Sequence, residues 1–231
     1  MGLSKTDSAY ILRWAKRIKA INLLGGKCKK CGDSNIFHLV FHHPFGEEKE
    51  KSICQIRTKR WSVIREEVKK CELLCRNCHI ELHYHGQGKN LQRSQLKKKL
   101  LEIKGIFECV QCGYSGEHYS SLNFHHLKDK SFEISDEFGR SNFTVTDKIL
   151  DEIKKCEIVC SNCHGVSHTD IDKFDNLKNH IYNKVNDYKE HNAINKELVL
   201  SMYNNGIRQI DIAKKFNCAK STICYLIKKY K

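Results

Sequence analysis

The stretch "CELLCRNCHIELHY", residues 71–84, holds three cysteines and two histidines in fourteen positions. Eighty-five residues further on, "CEIVCSNCHGVSHT" (156–169) puts the same cysteines and histidines in the same places. Working outward, Cys28 and Cys31 ("CKKC") match Cys109 and Cys112 ("CVQC") at an offset of 81, and "FHH" at 41–43 matches "FHH" at 124–126 at an offset of 83. Cys75, Cys78, His79 and His83 match Cys160, Cys163, His164 and His168 at an offset of 85. Eight ligand-type residues recurring in order, with the offset growing by two residues at a time, mark an internal duplication.

The duplication extends upstream. "ILRWAKRIKAINLLGGKCKKCG" (11–32) resembles "LQRSQLKKKLLEIKGIFECVQCG" (91–113), each a basic helical stretch running into the first Cys pair. The spacing predicts a core stripe of Leu12, Ala15, Ile18 and Leu23 in the first and of Leu96, Leu100 and Ile103 in the second. Within each module we expect a knuckle at the first Cys pair and a short strand into the His pair. A variable loop, a second strand, and a helix starting near the second Cys pair follow. The boundaries are 1–88 for the first module and 89–170 for the second. Residues 171–194, rich in Asn and Asp, read as a helical or flexible connector.

Two C-x2-C pairs per module can close four thiolates around a tetrahedral zinc ion, the saturated shell of a structural site. The sets are Cys28, Cys31, Cys75, Cys78 and Cys109, Cys112, Cys160, Cys163, for two structural Zn2+ per chain. Cys54, Cys71, Cys156, Cys218 and Cys224 fall outside them, and the equivalent Cys71 and Cys156 read as small core residues. An odd total of 13 cysteines without a secretion signal argues against a disulfide framework.

The histidines need a separate account. His79 and His83, four apart, share a helix face and can bind one ion together. Neighbours on a strand point to opposite faces, so only one of His42 and His43 can join them. Three histidines with open positions suit a catalytic rather than a structural ion. The leftover histidine is free to act as a base near neutral pH. The competing arrangement is a Cys3His structural site using His79 or His164, but four cysteines already fill that shell.

These motifs resemble the HNH endonucleases of the zinc-bound ββα-metal type, over about 25–90 and 106–170. By likeness to the His-rich branch, the colicin DNases, the resemblance implies that His42, His79 and His83 hold a catalytic divalent ion, Mg2+ or Mn2+, with His43 as general base. In the second module the corresponding ligands are His125, His164 and His168, with His126 as base. His42 and His125 stand where many members carry Asp, and Lys70 and Lys155 lie near the place of the family's middle Asn. Asn77 and Asn162 are not assigned that role.

Residues 195–231 read as three helices, about 195–204, 208–216 and 220–230, with a turn at Asn217, Cys218 and Ala219. Their expected core is Leu198, Met202, Ile207, Ile210, Ile212, Ala213, Phe216, Ile223, Leu226 and Ile227. Eight basic and two acidic residues give this piece +6. "GIRQIDIAKKFNCAKSTICYLIKK" (206–229) is similar to resolvase-type helix-turn-helix domains. That likeness implies DNA contacts from Arg208, Gln209, Lys220, Ser221, Thr222 and Tyr225.

With 41 Lys and Arg against 27 acids, the 231-residue chain carries +14, a balance that favours polyanions. No stretch is apolar enough for a membrane span and no signal peptide is evident, so an intracellular, cytoplasmic protein with no membrane partner is expected. The expected class is α+β: two tandem zinc-bound ββα-metal modules followed by a small all-α helix-turn-helix domain. The expected function is a site-specific DNA endonuclease of homing or phage type. It would act on double-stranded DNA without a small-molecule cofactor, cutting both strands from one chain and needing no dimer. A type II restriction endonuclease is the alternative in the same class. A non-catalytic zinc DNA-binding regulator is the alternative from another.

Overall fold

The computed structural model describes residues 3–44, 57–84, 88–138, 144–187, 196–216 and 218–230. Cys54 and Asn217 lie outside them. The chain is α+β, mixing helices with two small antiparallel ribbons.

The first module opens with helix α1 (Lys5–Leu23), capped by Ser4, whose side chain accepts the Asp7 amide. Strand β1 (Leu39–His42) pairs with β2 (Glu72–Cys75), His42 opposite Glu72 and Leu39 opposite Cys75. Between them lies helix α2 (Trp61–Val68), and β2 runs directly into α3 (Arg76–Leu82). The second module repeats the order: α4 (Gly88–Lys104), β3 (Leu122–His126), a short α5 (Ile134–Glu137), α6 (Asp147–Lys154), β4 (Cys156–Cys160) and α7 (Ser161–Ser167). In the second ribbon His125 faces Glu157 and Leu122 faces Cys160.

The two copies match down to single hydrogen bonds. At the knuckles Gly32 N donates to Cys28 O and Gly113 N to Cys109 O, at 2.9 and 2.8 Å. Both glycines sit at positive φ, +79° and +73°, where a β-carbon would strain the turn. The Lys29 amide reaches Leu73 O on β2, and the Val110 amide reaches Ile158 O on β4, which docks each knuckle on its ribbon.

The expected strands and the helix at the second Cys pair are present in both modules. The expected variable loops contain α2 and α6, which bury Trp61, Ile64 and Val68, or Ile149 and Ile153, against the ribbon and the upstream helix. The upstream stripes differ in part from expectation. Ala15, Ile18 and Leu100 are buried, but Leu12, Leu23 and Ile103 are exposed, their places taken by Ile11, Ile21 and Leu101. On α1, Ile11 and Ile18 turn toward a second packing partner.

That partner is α8 (Ile171–Asp187). The segment read as a connector is a helix to Asp187, and residues 188–194 lie outside the described ones. Its Phe174 and Ile181 are fully buried against Ile11 and Ile18 of α1. The Phe174 ring meets Trp14 and Phe37 edge-on, at 4.8 and 5.0 Å. Lys173 pairs with Asp7 at 2.9 Å. The helix leaving the second module thus packs on the helix entering the first.

The modules also meet directly through α3 and α7. The Asn77 amide donates to Asn162 Oδ1 and the Asn162 amide to Asn77 Oδ1, a reciprocal pair with the look of a local two-fold axis. Arg76 lies across α7 at Gly165, where a β-carbon would come within 2.4 Å of its Nε. Glu81 accepts Ser121 Oγ at 2.9 Å from the other side.

The C-terminal unit is α9 (Lys196–Asn204), α10 (Gln209–Lys215) and α11 (Lys220–Tyr230), within a residue of the expected bounds. Its core is Val199, Met202, Ile212, Ala213, Ile223 and Ile227. Leu198, Ile207 and Ile210, expected inside, are exposed: α9 buries Val199 in place of Leu198, and α10 turns Ile212 and Ala213 inward rather than Ile210. Phe216 only packs against the edge of this core. Among the described residues no helix is long and apolar enough to cross a membrane.

Candidate metal centres

Each strand-to-helix corner carries two ligand sets. In the first, Cys28 and Cys31 on the knuckle meet Cys75 at the end of β2 and Cys78 in the first turn of α3, with all four sulfurs within 4.8 Å of one another. Cys109, Cys112, Cys160 and Cys163 repeat this in the second module. Cys31 Sγ lies 3.8 Å from Cys75 Sγ, and Cys112 Sγ lies 3.7 Å from Cys160 Sγ. A tetrahedron of sulfurs about 2.3 Å from zinc has an edge of about 3.8 Å, so the thiols fit that ion.

The thiols are electrostatically unequal. Burial works to raise Cys28, but the backbone amides of Cys31, Cys75 and Lys30 more than offset it and bring it down to about 7. Burial, then the neighbouring Cys75, pushes Cys78 far above the ordinary thiol range. A divalent cation at the centre favours all four thiolates and resolves this conflict. Cys75 and Cys160 have a second duty: each sulfur accepts the amide three residues on, from Cys78 at 3.4 Å and Cys163 at 3.5 Å, capping the following helix.

One turn along those helices, His79 and His83 converge with His42, and His164 and His168 with His125. Ring centroids in the first triad are 4.6 to 5.3 Å apart. In the second they are 4.7 to 5.5 Å apart. His164 Nε2 lies 3.1 Å from His168 Nε2. Nitrogens about 2.1 Å from one ion are separated by roughly 3.0 to 3.4 Å in octahedral or tetrahedral geometry, so the pair fits a shared cation. Burial, followed by His83, His42 and Arg76, drives His79 down to about 4. Burial also lowers His42 and His164, with adjoining histidines adding to it. In these three rings the shift favours the neutral imidazole, the form that offers lone pairs to a metal.

His43 and His126 lie outside the triads, as strand alternation requires. His43 Nε2 is 2.8 Å from Glu67 Oε1 on α2, and His126 Nε2 is 3.0 Å from Glu152 Oε1 on α6. Lys70 and Lys155 hold the other carboxylate oxygens at 3.3 and 2.8 Å. Lys155, helped by the amides of Ser131 and Phe132, brings Glu152 down to about 2 despite its burial. Sequence reasoning passed over Glu67 and Glu152, whose one signal is that "EVKKC" (67–71) and "EIKKC" (152–156) recur at the same offset of 85 as the ligand string. Cys71 and Cys156 are buried as expected, Cys71 with its sulfur 3.4 Å from His43 Nε2.

A groove of about 670 Å3 opens beside His79 and His83, walled by Arg93, Lys97 and Asn123 of the second module. On the C-terminal unit Lys220, Ser221 and Tyr225 are exposed and Thr222 is half-buried. Arg208 is exposed but paired with Asp211 at 2.7 Å. Gln209 accepts the Cys224 thiol at 2.8 Å, which commits it to packing α10 on α11.

No protein-family model matches the chain, and no curated protein or solved structure matches it.

Proposed function

We propose that the protein is a site-specific DNA endonuclease, of the HNH kind its sequence resembles, with one hydrolytic site in each module. The observation that carries this reading is the recurrence, in both copies, of a three-histidine ligand set beside a saturated four-cysteine set. A protein that used zinc only for folding would need the second set alone. In this reading His42, His79 and His83 hold one divalent ion, and His125, His164 and His168 the other. When bound there, such an ion would supply stabilisation of negative charge on the phosphate and the leaving oxygen. His43 and His126 take the proton of the attacking water. Arg93 and Lys97 line the approach to the first site with positive charge, and the net +14 draws the duplex to the surface. Lys220, Ser221, Thr222 and Tyr225 on α11 are the candidates for sequence recognition. A homing or phage role is preferred, with restriction as the nearest variant.

The test is incubation of plasmid DNA with the zinc-loaded chain and Mg2+ or Mn2+, with and without chelator. Linear product is expected from the unaltered chain, and nicked circles from His43→Ala or His126→Ala. Absence of nicked or linear product under every metal overturns the enzyme and leaves the zinc DNA-binding regulator in its place.

A further inference from the structure

Three residues left over from the ligand sets recur together: Glu67, Lys70 and Cys71 in "EVKKC" (67–71), and Glu152, Lys155 and Cys156 in "EIKKC" (152–156). Both carboxylates are buried, with side-chain exposures of 7 % and 2 %. Their helices carry the buried apolar residues Trp61, Ile64 and Val68 in one module, and Ile149 and Ile153 in the other. A carboxylate in such surroundings is costly, and a well-packed apolar residue serves stability at least as well. Retaining it twice, on the same ring nitrogen of the equivalent histidine, points to a demand other than stability.

We infer that Glu67 and Glu152 are positioning residues: each holds its histidine by the Nε2–H, fixing the tautomer and leaving Nδ1 as the proton-accepting atom. The inference rests on the endonuclease reading. A carboxylate accepts, so the Nε2 atoms of His43 and His126 donate, and the neutral ring then carries its lone pair on Nδ1. In the step this serves, an O–H bond of water breaks and its proton passes to Nδ1. The freed electron pair forms the new P–O bond, and the old P–O ester bond breaks with its pair on the leaving oxygen, which takes a proton from solvent. The imidazolium so formed lies against the carboxylate, which stays ionised because Lys70 or Lys155 holds its far oxygen.

Two measurements test this. Long-range nitrogen–proton NMR on the zinc-loaded, DNA-free full chain should show His43 and His126 as Nε2–H tautomers, and Nδ1–H signals overturn the inference. In a His126→Ala background, where only the first site remains, Glu67→Gln should lower kcat roughly 10–100-fold with KM unchanged and two zinc ions per chain retained. An unchanged kcat in a chain that cleaves overturns this inference alone. So does a loss of rate accompanied by zinc loss or unfolding, both there and in Glu152→Gln on a His43→Ala background, because it marks a structural role. No cleavage by the unaltered chain overturns the endonuclease reading, and this inference with it.

Discussion

Asn77 and Asn162 each receive the other's backbone amide, Asn77 N to Asn162 Oδ1 at 3.2 Å and Asn162 N to Asn77 Oδ1 at 3.0 Å. Both residues are buried, and each occupies the second position of the helix that follows its module's last strand. Two helix N-termini thus satisfy each other across the module boundary, where helix starts ordinarily turn to a local cap or to water.

Asn77→Ala or Asn162→Ala leaves a buried amide without its acceptor. Each should cost about 1–3 kcal/mol, and the double variant less than the sum, because the two bonds share one interface. Urea denaturation of the four proteins in the cycle measures it. Full additivity would mean that the bonds act independently.

Cys75→Ala removes a thiol of the first four-cysteine set and the side-chain cap of α3 together. Bound zinc should fall from two ions per chain to one, and the turn carrying His79 and His83 should loosen while the second module keeps its triad. Metal analysis after dialysis, with circular dichroism, reads both effects. Strong chelation of the unaltered chain should unfold both modules.

Burial pushes Lys97 down to about 8 from 10.5, with Glu81 offsetting a part. Its ammonium donates to Ser120 O at 2.7 Å. Below about pH 8 both folded and unfolded chains hold this proton, and the full desolvation cost is present. Between about 8 and 10.5 the unfolded chain binds more protons, so this residue's contribution makes stability rise with pH. Urea midpoints at pH 7.5 to 10 should therefore rise more in the unaltered chain than in Lys97→Met. A parallel pair of curves would refute the shift.

If the protein binds DNA as proposed and Lys220 meets a phosphate, Lys220→Ala should weaken that binding evenly across sequences and reduce the salt slope of affinity by about 1. Tyr225, 59 % exposed at the middle of α11, should instead change sequence preference when replaced by Ala. Fluorescence anisotropy over a salt series separates the two.

Much of this was legible before any coordinates. Cysteine and histidine spacings carry their own geometry, so the four-cysteine sets, the i,i+4 histidine pairs and both strand-to-helix corners followed from the duplicated strings, while the choice of His42 over His43 and His125 over His126 came from the family resemblance. The three C-terminal helices followed from period and punctuation. What escaped was anything decided at a distance. Asn77 sits in the ligand string with no local mark of its partner 85 positions away. Phe174, Leu177, Ile181 and Val185 form a helical stripe, but Asn and Asp between them gave the segment the composition of a linker. Only the exposed apolar face of α1 explains why that stripe is buried. Glu67 and Glu152 recur at the offset of the ligand string, but each stands beside another acid, Glu66 or Asp151, and only burial shows which of the two is engaged.

The packing of α8 on α1 fixes where the last three helices are leashed. Phe174 and Ile181 clamp α8 to the two-module body, so the chain departs from Asp187. From there to Lys196 it has nine steps, a reach of at most about 30 Å. At about 3.4 Å per base pair that is under one turn of B-DNA. If α11 chooses the sequence and the histidine triads do the cutting, the number of residues in this stretch limits how far the cut can fall from the recognised bases. Lengthening it with flexible residues should spread the cut positions outward while leaving the recognised sequence unchanged.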